Sequence, residues 1–224
     1  MGILLVILLI VIFLRGMTLV FSEEIKSIKE RDPAAKSTLE VVLLYSSLHA
    51  LISHRLAHFL WKKRVPFLPR FFSQLTRFFT GIEIHPGAAI GRGLFIDHGT
   101  GVVIGETTVI GGHVTLFQGV TLGGTGKETG KRHPTLGDNI VVGAGAKILG
   151  NIAIGSNSYI GANAVVIKDV PPNATVVGVP GRVTRQDGKK IDTLMDHVHI
   201  LDPVMQSMDE LQKRIAKLER KEHS

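Results

Sequence analysis

The chain contains no cysteine in its 224 residues, and this absence excludes several kinds of site. Disulfide frameworks, thiolate metal sites and cysteine nucleophiles all need thiols, so any nucleophilic chemistry must use oxygen or nitrogen. The lack of cysteine agrees with a reducing compartment, and we expect a cytoplasmic protein. Aromatic residues are also scarce, at 6%. The core must therefore be built mostly from small and branched aliphatic side chains.

Length and charge leave several function classes open. A chain of this length allows one to two domains and a sizeable core. Hydrophobic residues make up 44% and charged residues 20%, as in an ordinary globular protein. Twenty-six Lys and Arg against 19 Asp and Glu give a net charge of +7. This excess favours an anionic partner, and composition alone does not choose among nucleic acid, a membrane surface and a phosphorylated small molecule.

The first sixteen residues form an apolar N-terminal extension, 1–16. Residues 2–14 are uninterrupted apolar, but a spanning helix of about 20 residues would have to include Arg15. A signal peptide would need a basic region before this run and a small-residue cleavage site after it, and both are missing. Three interpretations stay open: a membrane anchor, a helix for self-association or burial, and a mis-assigned start with Met17 as initiator. We exclude 1–16 from the fold prediction.

Residues 17–80 have helical apolar spacing and predict a small α-helical region. Ser37 and Glu40 form a capping-box pattern, which predicts a helix start just before an apolar run. Asp32 fits an N-cap before Pro33. Breaks in the helical pattern are expected at Pro33, Pro66 and Pro69.

Residues 81–185 have a different period, because an aliphatic residue recurs at every sixth position. Such a unit suits a short strand and a turn, and three units make one triangular coil of about eighteen residues in a parallel β-helix. A β-sandwich would show a period of two, which is missing here. Glycine often follows the aliphatic residue directly, where it allows a tight corner. The repeats run through Ile84, Ile90, Ile96 and Val102, then Ile104, Ile110, Leu116 and Leu122, then Leu136, Val142, Ile148, Ile154, Ile160 and Val166.

Two segments depart from this period. Loop 123–135 breaks it with glycine and charge, and loops on rigid scaffolds often carry function. The C-terminal tail, 186–224, is predicted to be helical, with apolar residues at spacings of four and three. Two interpretations of this helix are equally favoured: three copies associate on a trimer axis, or one helix packs back on the repeat domain of its own chain. The apolar positions are Val204, Met208, Leu211, Ile215 and Leu218.

Polar clusters interrupt the aliphatic coils and mark candidate chemistry. Glu83 and His98 are fifteen residues apart, close to one coil, which predicts that they are neighbours. A carboxylate beside an imidazole suits a general base that acts on an alcohol. Zinc is a weaker alternative because Arg132 is a poor neighbour for a dication, and no metal is expected. The histidines that zinc could use are His85, His98, His113 and His133.

Six strings resemble the serine acetyltransferases of the hexapeptide-repeat acyltransferase superfamily. They are DPAAKSTLEVVLLYSSLHAL, IHPGAAIGRG, DHGTGVVIGE, VTLGGTGKETGKRHPTLGD, GAGAKILGNI and VPPNATVVGVPGR. The pair DHGTG and GGTGK…RHP separates this family from similar sugar acetyltransferases. The resemblance implies a mainly β fold, a left-handed parallel β-helix with a small N-terminal α-helical region and a C-terminal helix.

The resemblance also implies a reaction, acetyl transfer from acetyl-CoA to the hydroxyl of L-serine, as the first step of cysteine biosynthesis from serine. His98 is then the general base and Glu83 the acid that orients it, although many relatives have Asp at that position. Asp32 and Asp97 match residues that hold the substrate, and Arg132 and His133 match those that hold its carboxylate. A sugar acetyltransferase would not need this set of opposite charges, and a scaffold protein would not need His98.

Acetyl-CoA is implied as a co-substrate, with no permanently bound cofactor. Its arm is expected along Gly124, Ala144 and Ala162, where small side chains leave room, and candidates for its phosphates are Lys147, Lys168, Arg182 and Arg185. The family resemblance implies a homotrimer, with a hexamer as the alternative. Relatives that bind cysteine synthase end in Ile, whereas this sequence ends in KLERKEHS, which counts against that partner. No nucleic acid is expected.

Overall fold

The computed structural model describes residues 15–126 and 129–187, together with Leu211 and Arg214. Residues 1–14 of the predicted extension lie outside the described residues. So does the predicted C-terminal helix after residue 187, except for Leu211 and Arg214, which are both helical. Within the described part of the chain, we find no helix long and apolar enough to cross a bilayer.

Within the described residues, 15–20 are helical, and four further helices precede the repeats: α1 (Ser22–Arg31), α2 (Thr38–Leu44), α3 (Ser46–Lys62) and α4 (Leu68–Thr80). The helix start predicted from the capping box is confirmed, because the Ser37 hydroxyl accepts the Glu40 N–H at 3.1 Å and α2 begins at the next residue. Pro69 does not break a helix. It lies in the first turn of α4, where a missing N–H costs nothing.

The N-cap prediction for Asp32 is wrong. Asp32 is the C-cap of α1, and its backbone N–H donates to Ile28 O. No helix follows Pro33; instead the Asp32 carboxylate accepts the Ala34 N–H at 2.7 Å in a local turn. Asp and Asn side chains favour such turns because they can bond their own backbone two residues on.

Within the described residues, fifteen short strands form three sheets that wrap around one axis. Sheet 1 contains β1 (Glu83–Ile84), β4 (Val103–Ile104), β7 (Thr121–Gly123), β10 (Lys147–Leu149) and β13 (Val165–Val166). Sheet 2 contains β2 (Ala89–Ile90), β5 (Val109–Ile110), β8 (Thr135–Leu136) and β11 (Ala153–Ile154). Sheet 3 contains β3 (Phe95–Ile96), β6 (Thr115–Leu116), β9 (Val141–Val142), β12 (Tyr159–Ile160), β14 (Ala174–Val177) and β15 (Arg182–Gln186). All pairs are parallel except β14 with β15.

The register gives the length of each coil. Val103 pairs with Thr121, a step of eighteen residues, and Lys147 pairs with Val165 with the same step. The first coil is longer, because Glu83 pairs with Val103, a step of twenty residues. Thr121 pairs with Lys147, a step of twenty-six residues. The additional residues belong to the predicted loop, which leaves the coil between β7 and β8.

The repeated aliphatic residues point inward and build a single apolar core. The first aliphatic residue of each of the three runs of repeats is at most 4% exposed; these residues are Ile84, Ile104 and Leu136. The three sheets form the sides of a triangular prism. Ala50 and Leu51 of α3 belong to the core of this prism, so α3 closes its N-terminal end. The hexapeptide period therefore has the predicted cause, the stacking of aliphatic side chains along the axis.

The helices are also tied to the outside of the first coils. Phe95 of β3 packs among Ile28 and Val41 of the helical region. The Arg31 guanidinium donates to the Thr115 hydroxyl at 2.9 Å, and the Arg55 guanidinium donates to Ile90 O at 2.6 Å. These contacts fix the end of α1 beside sheet 3 and α3 beside sheet 2.

The corners between sheets form three edges of the prism. The corners that lead from sheet 3 to sheet 1 include residues 97–102, and we call them the His98 edge. The corners that lead from sheet 1 to sheet 2 include residues 105–108 and 124–134, and we call them the His133 edge. The corners from sheet 2 to sheet 3 carry Asn139, Asn157 and Asn173, and we call them the asparagine edge.

Candidate active site

His98 lies in an enlarged corner of the first coil. Its φ of 58° is in the left-handed region, which non-glycine residues adopt rarely and often at functional sites. Gly99 follows with a φ of 72°, and a Cβ there would lie 2.6 Å from Ile82 Cδ1. The corner therefore packs tightly on the residue before Glu83, and its imidazole points outward with 73% of the side chain exposed.

Glu83 and His98 share this edge, but their side chains make no hydrogen bond or ion pair with each other. The Glu83 carboxylate pairs with the Arg77 guanidinium at 3.2 Å. The carboxylate closest to the imidazole is that of Asp97, 4.0 Å from Nε2. The argument from fifteen-residue spacing assumed a coil of about eighteen residues, whereas this coil has twenty and sets Glu83 beside Val103.

Asp32, Tyr45 and Asp97 form an acidic group beside His98. The Tyr45 hydroxyl donates to the Asp32 carboxylate at 2.6 Å. Burial raises the pKa of Tyr45, and the hydrogen bond to Asp32 and the negative charges of Asp32, Glu40 and Asp97 raise it further. The Asp97 side chain is only 10% exposed. This group offers carboxylates to a cationic part of a ligand.

Arg132 and His133 lie on the other edge, the His133 edge. The Arg132 guanidinium donates to the Glu106 carboxylate at 2.9 Å. The His133 ring lies over Gly105, where a Cβ would overlap it, so only glycine fits at that position. His133 is 8% exposed, and its Nδ1 faces the backbone N–H and hydroxyl of Thr107 at 3.2 Å and 2.9 Å.

The electrostatics of this edge keep its histidines neutral. Burial lowers the pKa of His133, the Arg132 and Lys131 charges lower it further, and Glu106 partly opposes them. Burial also lowers the pKa of His85 to about 4, and the His85 ring packs edge-on against Trp61 with centroids 5.1 Å apart. Among the described residues, no group of three or more histidines and carboxylates could hold a metal ion.

The predicted site residues thus fall into two sets that one chain does not bring together. Asp32, Asp97 and His98 lie at the His98 edge, while Arg132 and His133 lie at the His133 edge, one side of the prism away. A six-residue side spans up to about 20 Å at ~3.3 Å per residue. A molecule as small as serine cannot reach from one edge to the other across sheet 1.

The residues predicted to line the path of CoA are divided in the same way. Ala144 and Ala162 lie on the His98 edge, where the Asn163 N–H donates to Ala144 O at 2.8 Å. Lys147 begins β10 beside this edge and donates to Gly119 O. Gly124 lies on the His133 edge, and a Cβ there would meet Arg132 O at 3.2 Å. Lys168 lies on the His133 edge, and Arg182 and Arg185 lie on β15.

Comparison with known proteins shows what this arrangement belongs to. A family model described as bacterial transferase hexapeptide (six repeats) matches residues 133–168. A serine acetyltransferase from Staphylococcus xylosus is 57% identical over 195 residues, which cover 87% of this chain and 90% of the relative. The chain belongs to the serine acetyltransferase family.

Solved structures of this family have the same fold. The Neisseria gonorrhoeae serine acetyltransferase in complex with serine has a TM-score of 0.72 at 43% identity, over 76% of this chain and 70% of that chain. The Brucella abortus serine acetyltransferase in complex with coenzyme A has a TM-score of 0.74 at 44% identity, over 76% of this chain and 68% of that chain. The predicted family and the predicted left-handed parallel β-helix are confirmed.

Several residues of the two edges were missed in the sequence. Tyr45 binds the Asp32 carboxylate, yet its place in an apolar helix start suggested only packing. Arg77 pairs with Glu83 from the last turn of α4. Thr107 follows Glu106, and no sequence pattern marked the threonine. The available signal was its position directly after a polar interruption of the repeat.

Proposed function

We propose that this chain is a serine O-acetyltransferase, which transfers the acetyl group of acetyl-CoA to the hydroxyl of L-serine and gives O-acetyl-L-serine and CoA. The observation that carries this proposal is the 57% identity to a serine acetyltransferase over 90% of that relative. The reaction is the first step of cysteine biosynthesis from serine. The two edges supply the groups that it needs.

His98 acts as the general base. Its exposed imidazole takes the proton of the serine hydroxyl while that oxygen attacks the carbonyl carbon of the thioester. The tetrahedral intermediate then breaks its C–S bond, and protonated His98 returns the proton to the leaving thiolate of CoA. The chain has no cysteine for an acyl-enzyme thioester, so direct attack with both substrates bound is the simplest route.

Glu83 orients His98 in this proposal. Its carboxylate lies on the same edge, one residue after Ile82, on which Gly99 packs. To reach the imidazole it must leave Arg77, and that ion pair is worth little because the Arg77 side chain is 57% exposed. A carboxylate on the second ring nitrogen fixes the tautomer and stabilises the imidazolium that forms.

The zwitterionic acceptor is held by charges of both signs. Asp32 and Asp97 take the ammonium group beside His98, and Arg132 and His133 take the carboxylate. These pairs lie on different edges, so the proposal needs a second copy of the chain, whose His133 edge faces the first copy's His98 edge. Three such contacts close a ring and give a homotrimer.

The surface beside the His98 edge supports an interface there. Phe78 and Phe79 at the end of α4 are 81% and 75% exposed, with ring centroids 5.2 Å apart. Exposed aromatic side chains are enriched where proteins associate. Coenzyme A then lies between the copies, along Ala144 and Ala162 of one copy and Gly124 of the next. Lys147, Lys168, Arg182 and Arg185 are our candidates for its phosphates.

The test is thiol release from acetyl-CoA by the purified protein with L-serine, with a galactoside, with glucosamine and without acceptor. We expect release that depends on serine and is lost in His98→Ala. Release with the sugars alone, or none with any acceptor, would overturn the proposal. A cytoplasmic location stays a prediction, and cysteine synthase is not part of the proposal.

A further inference from the structure

Thr107 uses every polar group it has to hold residues 131–133 of the loop between β7 and β8. Its hydroxyl oxygen accepts the backbone N–H groups of Arg132 at 3.0 Å and His133 at 3.1 Å. Its carbonyl oxygen accepts the Lys131 ammonium at 2.7 Å. Its own N–H and hydroxyl both face His133 Nδ1, at 3.2 Å and 2.9 Å.

These contacts define the chemical state of the His133 ring. A backbone N–H can only donate, so Nδ1 of His133 must accept and carries no proton. The neutral ring therefore has its proton on Nε2, where it is a donor. The ring fills the space that a Cβ at position 105 would take, so it packs directly on the Gly105 backbone.

We propose that Thr107 is a positioning residue for the acceptor: it fixes the orientation of Arg132 and His133, so that the guanidinium and the Nε2–H donor of the imidazole face the acceptor carboxylate together. This inference rests on the proposed function. It adds a residue that does not itself touch the substrate and that acts on the affinity for serine. Thr107 takes no part in the proton transfer from the serine hydroxyl through His98 to the thiolate of CoA.

The coil does not depend on the Thr107 hydroxyl. The corner is closed by backbone bonds, Gly105 N–H to Leu122 O at 3.0 Å and Thr108 N–H to Gly105 O at 3.2 Å. The side chain that points into the core here is that of Thr108, which is 1% exposed. Removal of the Thr107 hydroxyl should therefore loosen residues 131–133 and leave the strands on both sides in place.

Two variants separate positioning from folding. Thr107→Val keeps the shape and removes the hydroxyl, while Thr107→Ser keeps the hydroxyl and removes a methyl group. Three hydrogen bonds on one hydroxyl are lost in Thr107→Val, so we expect the KM for L-serine to rise about tenfold or more. The KM for acetyl-CoA and the melting temperature should stay near those of the wild type, and Thr107→Ser should lie within about twofold of the wild type for serine.

The outcomes distinguish the inference from the proposed function. If the wild type does not acetylate serine, the proposed function fails. If it does, and Thr107→Val has the wild-type KM for serine or raises both KM values equally, the inference is wrong and the proposed function stands.

A measurement on the wild type covers the case in which Thr107→Val does not fold. Long-range ¹H–¹⁵N spectra of protein labelled with ¹⁵N-histidine report which ring nitrogen carries the proton, and His133→Gln assigns the signal. We expect the Nε2–H tautomer for His133 at neutral pH. A proton on Nδ1, or rapid exchange between the tautomers, would overturn the inference.

Discussion

The Glu106 carboxylate accepts a hydrogen bond from the Arg132 guanidinium at 2.9 Å, and both side chains are 35% exposed. The pair holds the guanidinium against the corner while leaving part of it open to a ligand. Partly exposed pairs are worth about 1 kcal/mol or less. We therefore expect Glu106→Ala to raise the KM for serine by about fivefold or less. Steady-state kinetics at varied serine concentration would test this. An unchanged or lower KM would contradict the prediction and mean that Glu106 only weakens the positive charge of Arg132.

The division of the site between two edges predicts complementation between inactive variants. His98→Ala lacks the base, and Arg132→Ala lacks the carboxylate contact. In mixed trimers of the kind we propose, an interface between the His98 edge of an Arg132→Ala copy and the His133 edge of a His98→Ala copy is intact. Random mixing makes about one interface in four complete, so we expect about a quarter of wild-type activity.

The complementation is measured after the two variants are unfolded together, refolded and assayed at low serine. Each variant refolded alone is the control. An equal mixture with no more activity than the sum of its parts would place the whole site within one chain.

Gly105 predicts a second effect on acceptor binding. Gly105→Ala places a methyl group in the space of the His133 ring, which must then move away from Thr107. We expect a rise in the KM for serine of about tenfold, because a donor held for the carboxylate is displaced. Gly126→Ala is a matched control, since a Cβ there meets nothing within 4 Å. Equal effects of the two substitutions would contradict the packing argument.

The asparagine edge predicts a stability difference between two substitutions at one position. The Asn157 amide donates to Asn173 at 3.1 Å and accepts from Asn139 at 3.2 Å, and its φ is 60°. Asn157→Gly removes the hydrogen bonds but tolerates this φ, and we expect a loss of about 1 kcal/mol. Asn157→Ala adds the left-handed penalty and should lose about 2 kcal/mol or more. Urea unfolding at a fixed protein concentration measures both, and Ala more stable than Gly would refute this account.

Buried histidines predict a loss of stability in acid. His54 is 4% exposed, and burial lowers its pKa to about 3, with smaller contributions from the charges of His58 and Arg55. The Ala88 backbone opposes this shift. The unfolded state therefore binds the proton first, so stability is complete above the ordinary histidine pKa of about 6.5 and falls as pH drops toward 3.

We expect the melting temperature to fall steeply between pH 6.5 and pH 4, and His54→Gln to make this dependence shallower. The control is His49→Gln, because His49 lies in the same helix and is exposed. Calorimetry across this pH range decides. A slope that is the same in His54→Gln and the wild type would show that other groups, such as His85, carry the effect.

The sequence alone was sufficient for the repeat, the solenoid and the family. The period of six between Ile104 and Ile110 has one physical cause, the stacking of inward aliphatic side chains, so it could be read without coordinates. The capping box at Ser37 is also a local interaction, and local interactions leave local patterns. The candidate site residues His98, Arg132 and His133 come from motifs that resemble those of a known family, and their roles stay predictions.

Only the tertiary structure decided which of these residues share an edge. The first coil has twenty residues, so Glu83 pairs with Val103 instead of with Gly101, as a coil of eighteen residues would require, and a uniform period could not show this. Tyr45 reaches the Asp32 carboxylate from the junction of α2 and α3, and Arg77 reaches Glu83 from the last turn of α4. Thr107 contacts residues 131–133, which lie in the next coil. The period of six indicates which side chains point into the core within each coil. Contacts between distant segments depend instead on how the coils and helices pack against one another.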